Sequence, residues 1–441
     1  MDDKFDCIVV GGGIAGLSAA MTLARAGNRF LLVERGEFCG AKNVSGGVLW
    51  GSDLHTLVPD YWNHDDAGFE RFVNHRRLTF MDDTAAFSVD FKNADFDVPP
   101  FNGVIVLRAR FDQWLAEQVQ GVIDSGPHPE DSLLATDILV EELLVDGGRV
   151  VGIRTGEEKF YADCVILAEG VNNLLTRQVG LQRDYVPSDH FAVGVKEVIG
   201  LDRQVLESRF QLAGRSGLTN EFVGFASGGV EGGGFLYTNR DSVSVGLVLA
   251  MKDLGEKHRK PYDLLNQFKS HPAVRDMISG GEVLEYSAHV VSTGDMRSMP
   301  RQLFKPGLMV AGEAANLLLN SGKAIQGMDY AMRSGILAAR NAVRCSETGD
   351  YSENAMAQYQ SDLEDSYVMK DLKSFQSAVT LFHSPAMYDK MPRILCDFGR
   401  SFFGIRNEET PKAVDMLKSS VKKHSSLWEM AKIGFKASRS L

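Results

Sequence analysis

The sequence is poor in cysteine and in long apolar runs, and it has no excess of basic residues. Five of its 441 residues are cysteine (Cys7, Cys39, Cys164, Cys345, Cys396). No two have C-x-x-C or metal-ligand spacing, so neither a metal nor an iron–sulfur centre is expected within the chain. Their odd number and scatter fit a reducing cytoplasm. No stretch approaches the roughly 20 apolar residues that cross a bilayer; SVSVGLVLAM is short and alternates like a strand. The opening MDDKFDCIVVGGG has no basic start, apolar core or cleavage site of a secretory signal. With 47 Lys+Arg against 58 Asp+Glu the net charge is −11, and no nucleic-acid partner is expected. No repeat of 20–50 residues and no low-complexity linker is found.

What is present is an ordinary globular composition, 44% hydrophobic and 24% charged, with enough chain for two or three cooperating domains. Residues 5–10, FDCIVV, form an apolar run typical of a buried parallel strand. GGGIAG follows, then a small-residue helical pattern to Gly27 and a second strand, FLLVE, ending at Glu34. Gly11, Gly13 and Gly16 supply G-x-G-x-x-G between strand and helix. The first permits the tight turn, the second lets backbone approach a pyrophosphate, and the third lets helix and strand pack closely. The helix N-terminus then offers unpaired N–H groups to the phosphates. Glu34, 18 residues past Gly16, stands where a carboxylate accepts bonds from ribose hydroxyls. Together these features point to a dinucleotide site.

Further along, residues 103–117 contain an extended piece and then a helix, and 136–170 read as a meander closing in the strand CVILA. Residues 185–290 alternate and carry glycine turns, as a separate, mostly antiparallel sheet would. Leu308 to Ala311 is again a buried parallel-type strand, and a long helix is expected from about 327 to 343. After Cys345 the chain is helical. The cluster Gly228 to Gly234 precedes strand-like FLYTN and reads as a hairpin turn, with little support for a second nucleotide site. The ten histidines are scattered without a nucleophile–base arrangement, and Cys39 reads as a packed small residue.

The segments ERGEFCGAKNVSGGVLWG, VLRARFDQWLAEQ, CVILAEGVNNLL, GGGFLYTNRDSVSVGLVL and GLMVAGEAANLLLNSGKAIQGMDYAMRSG resemble the FixC branch of electron-transfer-flavoprotein–quinone oxidoreductases, akin to the geranylgeranyl reductase superfamily. The resemblance runs from about residue 4 to the C-terminus. It implies an α/β fold in three parts. A discontinuous FAD-binding Rossmann-like domain of the glutathione-reductase/hydroxybenzoate-hydroxylase type would take residues 1–80, 104–184 and 291–345. An antiparallel β-sheet substrate domain would take 81–103 and 185–290, covering the flavin ring or shaping a quinone pocket. A helical C-terminal region would take 346–441.

The resemblance also implies FAD as cofactor and assigns its residues. Arg108 would reach the FAD phosphates and Val140 would present backbone to the adenine. Asn43, Val44, Ser45, Gly46 and Gly47 would pass along the flavin ring. Gln326, Gly327 and Met328 would aim N–H groups at its C2 carbonyl, favouring the reduced, negatively charged flavin. Gly312 and Glu313 would meet the ribityl chain, with Glu where the family usually has Asp. Ala15, Arg35, Lys42, Ala168 and Gly170 complete the set. Many flavoprotein disulfide reductases carry C-x-N-V-G-C in the loop at residue 43; aligned on Asn43-Val44, this chain has Ala41 and Gly46 in place of both thiols. Electrons would therefore leave by another route.

The expected activity is relay of electrons from an electron-transfer flavoprotein to a quinone or ferredoxin-like acceptor, with an iron–sulfur cluster supplied by a separate ferredoxin-like FixX subunit. The alternatives are a flavin-dependent reductase or monooxygenase acting directly on a small organic substrate, and a scaffold whose FAD is structural. Residues 401–441 carry +4 against −15 for the remainder. Leu427, Met430, Ala431, Gly434 and Phe435 fall on one helical face. That helix would dock on an anionic membrane surface or an acidic partner, or else pack on its own acidic body. The expected location is cytoplasmic, or peripheral at the inner face of the membrane.

Overall fold

The computed structural model describes residues 4–43, 46–64, 68–183, 185–322, 324–382 and 384–440. In chain order its first strands are β1 (Lys4–Val10), β2 (Phe30–Val33), β3 (Gly46–Trp50), β4 (Phe69–Met81), β5 (Ala86–Lys92), β6 (Gly103–Leu107), β7 (Leu133–Ala135), β8 (Glu142–Asp146) and β9 (Arg149–Thr155). There follow β10 (Glu158–Leu167), β11 (Phe191–Gly200), β12 (Ser216–Gly224), β13 (Gly232–Thr238), β14 (Ser242–Ala250), β15 (Glu282–Ser292), β16 (Phe304–Lys305) and β17 (Leu308–Val310). The helices that matter below are α1 (Ile14–Ala26), α2 (Arg108–Asp124), α3 (Pro261–Ser270), α4 (Met328–Thr348), α5 (Met391–Phe403), α6 (Ala413–His424) and α7 (Leu427–Ser440).

The first sheet runs β16-β17-β10-β1-β2-β7, with the β8–β9 hairpin continuing from β10. Strands β17, β10, β1, β2 and β7 are mutually parallel. Strand β2 is buried along its whole length and β1 over its last four residues, which accounts for the unbroken apolar runs. Helix α1 ends at Gly27, which sits at φ 75° and returns its N–H to the last helical carbonyls, a left-handed cap that glycine adopts without strain. Helix α4 packs against α1 so closely that a Cβ on Gly335 would stand 2.1 Å from the Ala15 carbonyl oxygen.

The second sheet runs β15-β11-β14-β13-β12-β4-β6-β3, with β5 on β4. It is antiparallel apart from the β12–β4 pair. Since β3, β4 and β6 are bonded into this sheet, the boundary expected at residue 80 falls inside strand β4. Continuous pairing is the reason: β4 is one 13-residue strand, and its pairing with β12 continues unbroken across that point to Met81. One face of the sheet is covered by α3, whose Leu264, Leu265 and Phe268 are buried. On β13 the burial alternates residue by residue, with Gly234, Leu236 and Thr238 buried and Gly233, Phe235 and Tyr237 only partly so.

Candidate functional site: a phosphate cradle and a thiol-free loop

Backbone crowding dictates the start of the site. Gly11 has φ 109° and a Cβ there would lie 2.3 Å from the Ala168 carbonyl oxygen. A Cβ on Gly16 would lie 1.8 Å from the Gly11 oxygen. No side chain fits at either point, so strand β1, helix α1 and the end of β10 meet backbone to backbone. Gly13 differs: it caps α1 with no side-chain hydrogen bond, and a Cβ there would meet only Asn43 Nδ2 at 3.5 Å and Arg108 at 3.6 Å. The first N–H groups of α1 thus open beside a cation and an amide, a cradle whose chemistry suits a pyrophosphate.

Glu34 is buried at the end of β2 and accepts hydrogen bonds from the Gly12 and Gly36 amides, each 2.7 Å. It holds the glycine loop against the turn that follows it. The segment carrying Val140 runs alongside, tied by the Ile138 amide to the Glu34 carbonyl at 3.0 Å. Cys39 packs under Gly12, and burial beside Glu34 and Asp112 pushes its thiol up to about 12. It packs as a small apolar residue. Cys7 and Cys164, distant in sequence, stand opposite one another on β1 and β10. Both are reduced and buried in the core.

Arg108, the first residue of α2, makes a two-pronged bond to Asp112 at 2.9 and 2.7 Å, and Asn43 donates to the same carboxylate at 2.6 Å. Burial opposes the guanidinium charge, but Asp112 and Glu313 more than offset it and raise its proton affinity. Glu313 follows Gly312, whose φ is 68°. Burial raises the Glu313 carboxyl, partly countered by the Ser292 amide and Arg108. Gly312 donates its N–H to Ser334 of α4 at 2.9 Å, and a Cβ there would press on Ala15 at 2.8 Å. Ala15 is therefore a packing residue between α1 and α4 as well as part of the cradle. Ala168 bonds back to Val10 at 2.8 Å, and Gly170 turns the chain at φ 74°. The Glu169 carboxylate is taken by the Leu175 and Thr176 amides, capping the next turn. Arg35 and Lys42 are exposed. Val44 and Ser45 lie outside the described residues.

A second helix N-terminus faces the same region. Helix α4 begins at Met328 behind Gly327, again with no side-chain cap, and residues 326–328 are partly exposed. Gln326 donates to Asp329 at 2.8 Å. Burial is the main cause that moves the Asp329 carboxyl up to about 6. Gly46 and Gly47 form the first residues of β3, between this helix and strand β11 of the same sheet. A Cβ on Gly47 would meet Met328 Cε at 3.3 Å, and one on Gly46 would lie 3.6 Å from Lys196 Nζ of β11. Strands β3 and β11 are six positions apart in the sheet order. Flat, they would be separated by roughly 29 Å, so the sheet curls until its edge strand reaches across its own inner face.

Sequence reasoning missed the residues this curl assembles. Lys196 is buried, lowered in proton affinity by burial and partly restored by Glu285 at 3.3 Å. His289 stands near Arg108 and Arg35, and burial followed by those two cations lowers its proton affinity. Arg76 lies 4.6 Å over the Trp50 ring, and Tyr237 packs with Val48, Trp50, Val73 and Ile105. Strand alternation was the only available signal, and it does not say which strands become neighbours.

Three segments match family descriptions: "FAD dependent oxidoreductase" over residues 6–129, "ETF-QO, ubiquinone-binding" over 191–291, and "ETF-QO/FixC family C-terminal domain" over 378–441. The chain is 38% identical over 440 residues to the probable electron transfer flavoprotein-quinone oxidoreductase YdiS of Escherichia coli K12, covering 100% of each. It is 37% identical over 434 residues to protein FixC of the same strain, covering 98% of this chain and 96% of that one. Among solved structures, a geranylgeranyl bacteriochlorophyll reductase-like protein of Thermoplasma acidophilum shares the fold with a TM-score of 0.71 at 19% identity, covering 98% and 99%. The chondrochloren halogenase CndH superposes with a TM-score of 0.65 at 18% identity, covering 97% and 92%.

Proposed function

From the chain's membership of the electron-transfer-flavoprotein–quinone oxidoreductase/FixC family, we propose how its residues divide the work of an electron relay. The protein is an FAD-dependent oxidoreductase that functions in electron transfer to quinone. Bound FAD supplies the two-electron redox centre.

The chain's own residues bind and orient it. Gly11, Gly13, Gly16 and Arg108 hold the pyrophosphate, and Glu34 and Val140 flank the adenosine half. Glu313 takes the ribityl chain, and its longer reach is supported by the Ser292 amide at 3.2 Å. Asn43, Gly46 and Gly47 pass the ring on one side, and the uncapped start of α4 favours negative charge at its edge. The observation that carries the relay reading is the position of Gly46 and Gly47. They lie between Met328 at that helix start and Lys196 in the segment matched as ubiquinone-binding. Cofactor edge and acceptor domain share one strand, with no thiol between them.

The donor in this reading is an electron-transfer flavoprotein, and a separate ferredoxin-like FixX subunit supplies the iron–sulfur step. The C-terminal helices supply a membrane contact. Phe403, Ile405, Val414, Trp428 and Phe435 are exposed there among Lys412, Lys418, Lys422, Lys432 and Lys436, a composition that suits an anionic lipid surface. The stripe expected on α7 faces outward: Leu427, Ala431, Gly434 and Phe435 are exposed, while Met430, Ile433 and Ala437 are partly covered. No helix among the described residues is long and apolar enough to cross a membrane.

An anaerobic visible spectrum tests the reading. Reduced electron-transfer flavoprotein bleaches the flavin, and NADH or NADPH leaves it oxidised. Rapid bleaching by a nicotinamide alone would instead make the protein a reductase acting directly on a small organic substrate.

A further inference from the structure

The inner face of the curled sheet carries a row of residues fixed by register. Ser287 of β15 pairs with Lys196 of β11, Lys196 with Gly246 of β14, Gly246 with Phe235 of β13, and Phe235 with Glu221 of β12. Directly opposed residues project to the same face, so Lys196 and Glu221 look into one cleft. The floor between them is aromatic. A Cβ on Gly246 would lie 2.3 Å from the Phe235 ring, so the glycine makes room for that ring to lie flat, and Tyr237 stacks on it at 4.9 Å and 17°. Lys196 and Glu221 are three strand spacings apart, roughly 14 Å at the backbone. The Lys196 ammonium leans towards Glu285 of β15, on the side away from Glu221, and so does not close the span over the Phe235 ring. The Lys196 end adjoins Gly46 of the flavin loop.

We propose that Glu221 is the proton donor for quinone reduction, seated at the far end of an aromatic-floored slot whose near end is Lys196 at the flavin loop. This rests on the relay reading above. The quinone takes up two electrons and one proton from the reduced cofactor, becoming the hydroquinone monoanion. The O–H bond of the Glu221 carboxyl then breaks as an O–H bond forms on the remaining quinone oxygen. Glu221 is left as a carboxylate and takes a proton back from solvent.

The surroundings suit that role. Burial raises the Glu221 carboxyl to about 7, with Arg76 opposing, so near neutrality it holds a proton it can release. The groups bearing on it are Arg76 from β4 and Tyr237 from β13, whose phenol is itself raised by burial and by Glu221. Lys196 on β11 is balanced by Glu285. Strand β3 contributes Val48 and Trp50, which do not titrate. Helix α5, packed on β4 and β12, keeps its charges in pairs: Arg393 with Asp389, and Arg400 with Asp82 and Asp397.

The test is Glu221→Gln, an isosteric change, in the FAD-loaded protein, with a soluble ubiquinone analogue as acceptor. Expected is a loss on the order of 10²-fold in quinone reduction and disappearance of the fall in rate as pH rises through about 7. Flavin reduction by the donor protein stays unchanged, and Glu221→Asp restores part of the rate with its own pH limb. Independently of turnover, a pH-difference infrared spectrum of the wild type shows a carboxyl losing its proton near neutrality, and Glu221→Gln lacks that band. An unchanged rate and pH profile in Glu221→Gln, or persistence of the band, overturns the assignment alone. A wild-type protein unable to reduce the quinone overturns the relay reading and the assignment with it.

Discussion

The glycine cradle at the head of the first sheet and the inner face of the second sheet are built on opposite principles. Around Gly11 and Gly16 there is no space, and a single methyl group would collide with backbone. Along β13 and the end of β12, every second residue is left partly open. The cradle is made of backbone, which needs a fixed spacing of glycines and permits few alternatives. The open face is made of side chains gathered from β11, β12, β13, β4 and β3. The first region suits a cofactor of invariant shape, and the second suits acceptor chemistry set by a few side chains.

That contrast can be broken most severely at Gly16. Gly16→Ala forces a Cβ to within 1.8 Å of the Gly11 oxygen. The expected result is loss of bound flavin and a large drop in thermal midpoint, read by the absorbance ratio and melting curve of the purified protein. Gly147→Ala is the control. Its φ of 54° is positive, unlike that of Gly16, but a Cβ there meets nothing within 4 Å, and it should retain flavin while losing only a small amount of stability.

Next in size is Arg108→Ala. It removes the main partner of fully buried Asp112, which typically costs about 3–5 kcal/mol, and it opens the cradle, so denaturant midpoint and flavin content should fall together. Arg275→Ala, at an exposed ion pair with Asp276, should cost about 1 kcal/mol or less.

A smaller effect separates the two regions by pH. The Glu221 carboxyl is raised from 4.5 to about 7 in the folded protein. The native state therefore holds a proton that the unfolded chain releases, and stability should decline as pH rises from about 4.5 to 7. Glu221→Gln should flatten that decline, as measured by thermal midpoint against pH. Asp397 behaves oppositely. Burial works against its charge, but Lys423 and His424 prevail and hold it at about 2, so its contribution is present above 3.8 and lost as the pH falls towards 2.

The smallest expected effect is at the periphery: deleting residues 427–441 should leave flavin reduction intact and reduce co-sedimentation with anionic liposomes. Unchanged sedimentation would contradict the membrane contact.

How much of this was legible beforehand follows from the same contrast. Gly11, Gly13, Gly16 and Glu34 could be read directly, because a βαβ unit is local and its chemistry depends on spacing. The second sheet could be recognised as a sheet from the alternation in β13 and β14. Its membership could not, since β3 joins a partner strand more than 50 residues later, and β4 crosses the expected boundary at residue 80. Lys196 and Glu221 had no sequence signal, because the register of four strands and a curl bring them to one cleft. The outward turn of the α7 stripe was equally hidden, since periodicity defines a face without saying what it meets.

The most direct test of the central claim is a stopped-flow measurement in which protein reduced by electron-transfer flavoprotein is mixed anaerobically with a ubiquinone analogue. Rapid return of oxidised flavin absorbance, saturating with quinone concentration and slowed by Glu221→Gln, is the predicted result. Reoxidation no faster than in buffer alone would contradict the account.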